Sequence, residues 1–283
     1  MSDHRRGRRV LLAAVLAAVT AVPASIGLAR HDRAEARDPL SFRIATFNVL
    51  GNVHTEPYAH DDGFAPARIR AEWTADLLRQ LGSPDVLGTQ EADAGQLEDI
   101  LRATGGRYDA WPGTAVPGGV QQSLLWRTDV WKATQKDTIT IPFIRYQRAQ
   151  PVVKLQNVQT GRSIWVMNVH NAPRDYQKQR NQALAIEIAK IKELRDTGLP
   201  VFIVGDFNEK TNAFCKIVGK TDLHTPMGGT ANRHSCDPPA RQMRIDWIFG
   251  GADVSFDQFS MDRSPLKRWV NDHLVPVASV TIP

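Results

Sequence analysis

An α/β fold with two β-sheets packed face to face is predicted by three features of the sequence. Apolar runs of four to eight residues recur along the chain, at 42–49, 86–89, 123–126, 152–155, 164–169, 201–204, 245–249 and 274–280. Runs this continuous mark strands covered on both faces. Helical patterns lie between some of them, and no linker, low-complexity stretch or internal repeat divides the chain. Strands interleaved with covering helices make a layered α/β domain, and polar residues at the strand ends then converge on one rim.

Taken in order, the first segment reads as a leader. Arg5, Arg6, Arg8 and Arg9 precede an uncharged run over 10–29, and Ala34-Glu35-Ala36 fits a small-residue cleavage site. This is the pattern of a secretory signal peptide over 1–36, with the functional domain over 37–283. Pro23 and the Ala-rich composition suit a removed signal better than a membrane span, so no stable membrane insertion is expected after cleavage. Arg8-Arg9-Val10-Leu11 loosely resembles a twin-arginine signal, which leaves the export route open between Sec and Tat. The expected location is secreted, and the expected state a monomer.

Beyond the leader, residues 67–81 place Ile69, Trp73, Leu77 and Leu81 at four-residue steps behind Pro66, and Gly82 to Pro84 stop that helix. A shorter helix over 94–103 turns Leu97, Ile100 and Leu101 inward. A longer one over 177–195 carries Leu184, Ile188, Ile191 and Leu194 on one stripe. The formal charge of +5 is concentrated in the leader, which holds six arginines against three acidic residues, so net charge alone does not argue for nucleic acid. Cys215 and Cys236 are the only cysteines and lack a CxxC spacing, so a structural disulfide is expected in an exported chain, with two free thiols as the alternative.

Function is written at the strand ends. The run Val201 to Asn208 (VFIVGDFN) ends a buried strand on glycine and at once presents Asp206 and Asn208, one on each side of Phe207. Other apolar runs end on Asn48, Glu91 and His170, and Asp246, Asp272 and His273 follow near the C-terminus. These residue types bind a hard cation and move protons around a phosphodiester.

In order and approximate spacing, TFN at 46–48, QE at 90–91, NVH at 168–170, GDFN at 205–208, ID at 245–246 and NDH at 271–273 resemble the endonuclease/exonuclease/phosphatase superfamily. RAQPVVKL at 148–155 and HNAP at 170–173 are similar to the pancreatic-type deoxyribonucleases in particular. The resemblance covers residues 42–283. It implies a four-layer α/β sandwich of two packed mixed sheets flanked by helices, and hydrolysis of phosphoesters with Mg2+, or with Mn2+ or Ca2+ in its place.

The same resemblance implies the roles. Glu91, Asn48 and Asp272 form the metal set, and Asn48 could instead orient the Glu91 carboxylate or meet the phosphate. Arg148 clamps phosphate with forked donors. His273 is the general base, with Asp246 fixing its tautomer. Asp206 orients water or helps bind metal, Asn208 stabilises charge on the phosphate, and His170 protonates the leaving oxygen or stabilises the pentacoordinate phosphate.

Two positions depart from the deoxyribonuclease pattern. Asp93 stands where that branch carries a minor-groove arginine, and Val120-Gln121-Gln122-Ser123 lacks the acid that would pair with His170. Duplex nicking in that mode is therefore in doubt, whereas phosphodiester chemistry is not. The expected partner is nucleic acid or another phosphodiester. Phospholipase C-type (sphingomyelinase-like) or phosphomonoesterase activity is the rival, for which an exposed aromatic hairpin would be the lipid signature, and Trp111, Trp126 and Trp131 read equally well as core. A binding or toxin module without turnover is disfavoured because every expected site residue is present. His54 and His60 fall in a polar segment, 51–63, that reads equally as a substrate-facing wall or a solvent loop.

Overall fold

Two mixed sheets are built from strands whose alternate residues face opposite ways. The computed structural model describes residues 38–55, 63–114, 121–240, 245–267 and 270–283, so the expected signal segment and His60 lie outside the described residues. The strands are β1 (Leu40–Asn48), β2 (Val86–Gln90), β3 (Tyr108–Trp111), β4 (Gln122–Arg127), β5 (Trp131–Phe143), β6 (Tyr146–Asn157), β7 (Ser163–His170), β8 (Val201–Asp206), β9 (Thr230–Ala231), β10 (Cys236–Asp237), β11 (Asp246–Gly250), β12 (Ser255–Asp262) and β13 (Val275–Ile282). Helices α1 (Ala67–Gln80), α2 (Ala94–Ala103), α3 (Gln177–Arg195), α4 (Thr211–Lys220) and α5 (Ser264–Lys267) complete the set. The first sheet has the order β12-β13-β1-β2-β4-β3, and the second β11-β8-β7-β6-β5.

Along β1, Phe42 and Ile44 pack toward the second sheet, whereas Ala45 and Phe47 pack against α1 and α2. In β8, Phe202 and Val204 face the first sheet while Val201 and Ile203 face α3 and α4. The result is four layers: helices, sheet, sheet, helices. Phe42 locks the middle by meeting Trp131 and Phe202 edge-on, with ring centroids 5.2 and 5.5 Å away. Trp126 and Trp131 are core residues, and Trp111 packs against the same core at its margin. No helix among the described residues is long and apolar enough to cross a membrane.

Strands β3, β5 and β12 and helix α4 escape the sequence patterns for physical reasons. Strand β5 alternates polar and apolar residues with one solvated face and sits at a sheet edge, and β12 does the same at the edge of the other sheet. Strand β3 is a short edge, and α4 buries only Ala213, Phe214 and Ile217. Helix α1 forms where expected, but Trp73 is 38% exposed. Four-residue steps drift around a helix of 3.6 residues per turn, and the buried face belongs instead to Ala67, Ala71, Thr74, Ala75, Leu77 and Leu78 with Arg70. The cysteines do form a disulfide, Cα atoms 5.6 Å apart, tying α4 to the β9–β10 ribbon.

Parallel pairing of β1 with β2 and of β7 with β8 brings Asn48, Glu91, His170 and Asp206 to one end of the sandwich. Close approach there demands glycine. A Cβ on Gly205, at φ 143°, would lie 2.1 Å from the Val169 carbonyl oxygen, and one on Gly88 would lie 2.5 Å from Asn168 Oδ1 and 2.7 Å from Val204 Cγ2. Gly88→Ala is expected to destabilise the protein by about 1–3 kcal/mol in urea denaturation, by pushing the sheets apart at Asn168.

Candidate active site

Asn48 is fully buried at the end of β1 and spends its amide on two acids of different strands. Its Nδ2 donates to Glu91 Oε1 at 2.9 Å and to Asp206 Oδ2 at 3.1 Å, while its Oδ1 accepts the Leu50 N–H at 3.1 Å. Of the roles open to Asn48, orienting carboxylates is the one these bonds serve. Asn271 fixes the Asn48 backbone by donating to its carbonyl at 2.6 Å.

Glu91 sits just beyond β2 at φ 67°, a left-handed conformation unusual for this residue. Its Oε2 accepts the Gly51 N–H at 3.0 Å. The loop carrying Gly51 is held by Arg70, which donates to the carbonyls of Val49 and Leu50 at 2.7 and 2.8 Å, and by Gln96, which reaches the same two. Burial disfavours the ionised form of Glu91. The His170 ring, charged only in the acid range where Glu91 itself titrates, the donors on Asn48 and Gly51, and the His54 ring outweigh it and hold the carboxyl at about 2. His54 Nε2 lies 3.5 Å from Glu91 Oε2, so the start of the polar segment after β1 is a wall of the cleft.

His170 ends β7 and is 4% exposed. Its Nδ1 lies 2.8 Å from Arg148 Nη1, and because a guanidinium can only donate, Nδ1 accepts and the ring proton sits on Nε2. Burial, then the Arg148 charge, push the His170 pKa down to about 3. The group facing the cleft is thus a neutral N–H donor, 3.7 Å from Asp206 Oδ2 and 3.9 Å from Glu91 Oε1. That favours stabilising phosphate charge over protonating the leaving oxygen.

Arg148 lines the cleft but has other work as well. Its Nη2 donates to Gln121 Oε1 at 2.9 Å and to the Tyr146 hydroxyl at 2.7 Å, and its guanidinium carbon sits 3.3 Å from the Phe143 ring centroid. Gln121, at the position lacking an acid, therefore engages Arg148. Asp93 has a local explanation too: it caps α2, accepting the Gln96 N–H at 2.8 Å.

On the far side, Asp246 and Asp206 are paired directly across β11 and β8. Both Asp246 oxygens lie 3.0–3.1 Å from His273 Nδ1, leaving Nε2 toward Asp206 Oδ2 at 3.9 Å. Burial opposes the charge on His273, but Asp246, Asp206 and Asp272 raise its pKa to about 10. Asp206, buried and facing Asp246, is itself raised to about 7. Asn208, at φ 49°, gives its N–H to Asp206 Oδ1 at 2.8 Å and its amide to the Asn171 carbonyl at 2.9 Å. Phe207 between them is fully buried, and Asp272 is exposed on the cleft.

The oxygen donors suit a hard divalent cation. Each Glu91 oxygen accepts one protein hydrogen bond and faces the cleft with lone pairs remaining, and Asp272 lines the same cleft. Asp206, Asp246 and His273 also offer ligand atoms within 4.8 Å of one another. The Asp246–His273 hydrogen bonds and the direct cross-strand pairing of Asp246 with Asp206 account for that spacing.

Two residues inside the quoted motifs, Gln90 and Asn168, were given no role from sequence, and the structure supplies one. Asn168 Nδ2 bridges to the Thr89 and Ser123 carbonyls of the other sheet at 2.9 and 3.0 Å, and Gln90 donates to Asn168 Oδ1 at 2.6 Å. The first turn of α3, Gln177 to Arg180, holds three loops, as described below.

A single chain with this four-layer fold and this set of strand-end residues is a phosphoesterase of the sandwich type. The family model described as Endonuclease/Exonuclease/phosphatase family matches residues 45–273, and the chain belongs to that family, whose members hydrolyse phosphoric esters and generally depend on a divalent metal. Among solved structures it is similar to a family protein from Bacteroides thetaiotaomicron (20% identity, 87% of this chain and 99% of that one, TM-score 0.66). It is also similar to a mannosyl-6-phosphatase from the same species (18%, 84% and 99%, TM-score 0.64) and to D. rerio TDP2 complexed with single-strand DNA product (18%, 85% and 98%, TM-score 0.64). No curated protein matches.

Glu187 lies outside this machinery but behind it. It is fully buried on α3, and among the described residues its hydrogen-bond partner is Asn171 Nδ2 at 3.5 Å. Burial, partly opposed by Asn171, pushes its carboxyl up from 4.5 to about 8. Below the unfolded value both states hold the proton. As pH rises from about 4.5 toward 8, only the unfolded state loses it, so stability falls across that window. Glu187→Gln is expected to flatten this slope, matching wild type near the acid end and exceeding it by on the order of 3 kcal/mol at the alkaline end, read from urea unfolding at each pH.

Proposed function

We propose that this chain is an exported, Mg2+-dependent phosphodiesterase that hydrolyses nucleic acid by in-line attack of water. The observation that carries the reading is the Asp246–His273 pair, whose free Nε2 faces Asp206 at the junction of two clefts, about 590 and 570 Å3, that share Asp272 and His273. An opening on both sides of the base suits a phosphate esterified on both sides, and so a diester over a monoester.

In this mechanism His273 Nε2 takes the proton of a water oriented by Asp206 as the water oxygen bonds to phosphorus and the opposite P–O ester bond breaks; Asp246 accepts from the Nδ1–H and stabilises the imidazolium, and the departing oxygen takes its proton from solvent. His170 Nε2–H and Asn208 lie where charge grows on the phosphoryl oxygens. A divalent cation held by Glu91 and Asp272 would polarise the phosphate and offset the clustered carboxylates that otherwise keep His273 protonated.

A lipid substrate is less well supported. The β5–β6 hairpin tip does stand at the cleft, and Tyr146 is exposed on it, a feature the sequence reading did not find. Phe143 beside it is buried, however, and the Tyr146 hydroxyl is bonded to Arg148, so the tip offers little to a bilayer.

Hydrolysis of plasmid, single-stranded DNA, RNA, sphingomyelin and a phosphomonoester, each with Mg2+ or EDTA, tests the reading. Metal-dependent cutting of nucleic acid, reduced at least 10³-fold in His273→Ala, is expected; turnover of sphingomyelin or the monoester alone would replace it. For Asp246→Asn, the residual activity should begin its rise at lower pH than wild type, because the carboxylate that raises the His273 pKa is gone.

A further inference from the structure

Part of the cleft wall is built from residues that the phosphate chemistry does not use. Among the described residues six large apolar or aromatic side chains are exposed, and three of them, Val53, Tyr146 and Tyr176, line this cleft. Scattered exposed apolar residues need no explanation, but half of them gathered at one site do. Tyr146 is 52% and Tyr176 37% exposed.

Both tyrosines are presented by fixed backbone. Gln179 exchanges two hydrogen bonds with Ile144 at the hairpin tip, accepting from its N–H at 2.6 Å and donating to its carbonyl at 2.8 Å. Arg180, 7% exposed, donates to the carbonyls of Ala172 and Arg174 at 2.9 and 2.7 Å and pairs with Glu209 at 2.9 Å. One helical turn therefore clamps the hairpin before Tyr146, the turn before Tyr176 and the loop after Asn208. Rigid aromatic faces lose little entropy on binding a ring. Arg174 lines the same wall and supplies positive charge for a neighbouring phosphate.

We propose that Tyr146 and Tyr176 form a stacking subsite for an unpaired nucleobase beside the scissile phosphate, so that the enzyme takes single-stranded nucleic acid in preference to duplex. This rests on the nuclease reading above. A base inside a duplex has both faces covered, and only one that has left the stack can meet these rings.

The test combines a spectroscopic and a kinetic readout on the full protein with Mg2+. A single-stranded oligothymidylate carrying one fluorescent base analogue, bound to His273→Ala, should be quenched by stacking, and the quench should disappear when Tyr176→Ala is added. In the active protein Tyr176→Ala should lower kcat/KM for single-stranded DNA about 10-fold. It should leave a strand with abasic nucleotides unchanged, and Tyr176→Phe should behave as wild type. Tyr176 makes no side-chain cap bond to α3, so its removal spares the fold. Tyr146→Phe, which keeps the ring and drops the Arg148 bond, should keep the quench. Nucleic acid cut equally well with and without the base, by both wild type and Tyr176→Ala, would overturn the subsite and leave the nuclease intact. Turnover of bis-nitrophenyl phosphate with every nucleic acid untouched would overturn the nuclease reading itself.

Discussion

The site depends on one primary amide. Glu91 and Asp206 belong to different sheets, and both carboxylates are turned toward the same buried point. Two like charges there would repel in a poorly screened interior, and the Asn48 side chain answers this by giving one N–H to each. Asparagine is suited where aspartate or leucine is not: it offers two donors on one nitrogen and an acceptor for the Leu50 N–H. Because Asn48 is held in turn through its backbone by Asn271, two residues before His273, the base and the carboxylates share one frame.

Behind that amide runs a polar seam through an otherwise apolar sheet-to-sheet interface. Gln90, Asn168, Thr46 and Thr89 hydrogen-bond to one another and to the Ser123 carbonyl across the gap. Such a network fixes register between layers that hydrophobic contact alone would let slide. On the other flank, Gln177, Gln179 and Arg180 hold loops that close packing does not reach. Preorganisation here is assembled from amides and guanidinium groups braced on helices, with the exposed loops contributing surface.

Much of this was legible in the chain. Continuous apolar runs gave the inner strands because those strands are covered on both faces, and the residues ending them gave Asn48, Glu91, His170, Asp206 and Asn208. The edge strands β5 and β12 stayed hidden because a half-solvated edge carries no such run. Trp73 misled for a different reason: a large apolar residue in a helical stripe reads as core, yet small residues let α1 lie close to its sheet. The neutral state of His170 was beyond sequence reasoning, since it follows from burial at the strand end and then from Arg148 arriving on a neighbouring strand. So were the bracing roles of Gln121, Gln179 and Arg180, which depend on contacts with Arg148, Ile144 and Glu209, residues far from them in sequence.

Where the cation sits is the point on which the mechanism turns. Crystals grown with Mn2+ and measured at its absorption edge would locate it directly. An anomalous peak about 2.2 Å from a Glu91 oxygen, with the Asp246–His273 hydrogen bond intact, is the predicted result. A peak held by Asp246 and the His273 ring instead, with Glu91 empty, would contradict it and remove His273 as the base.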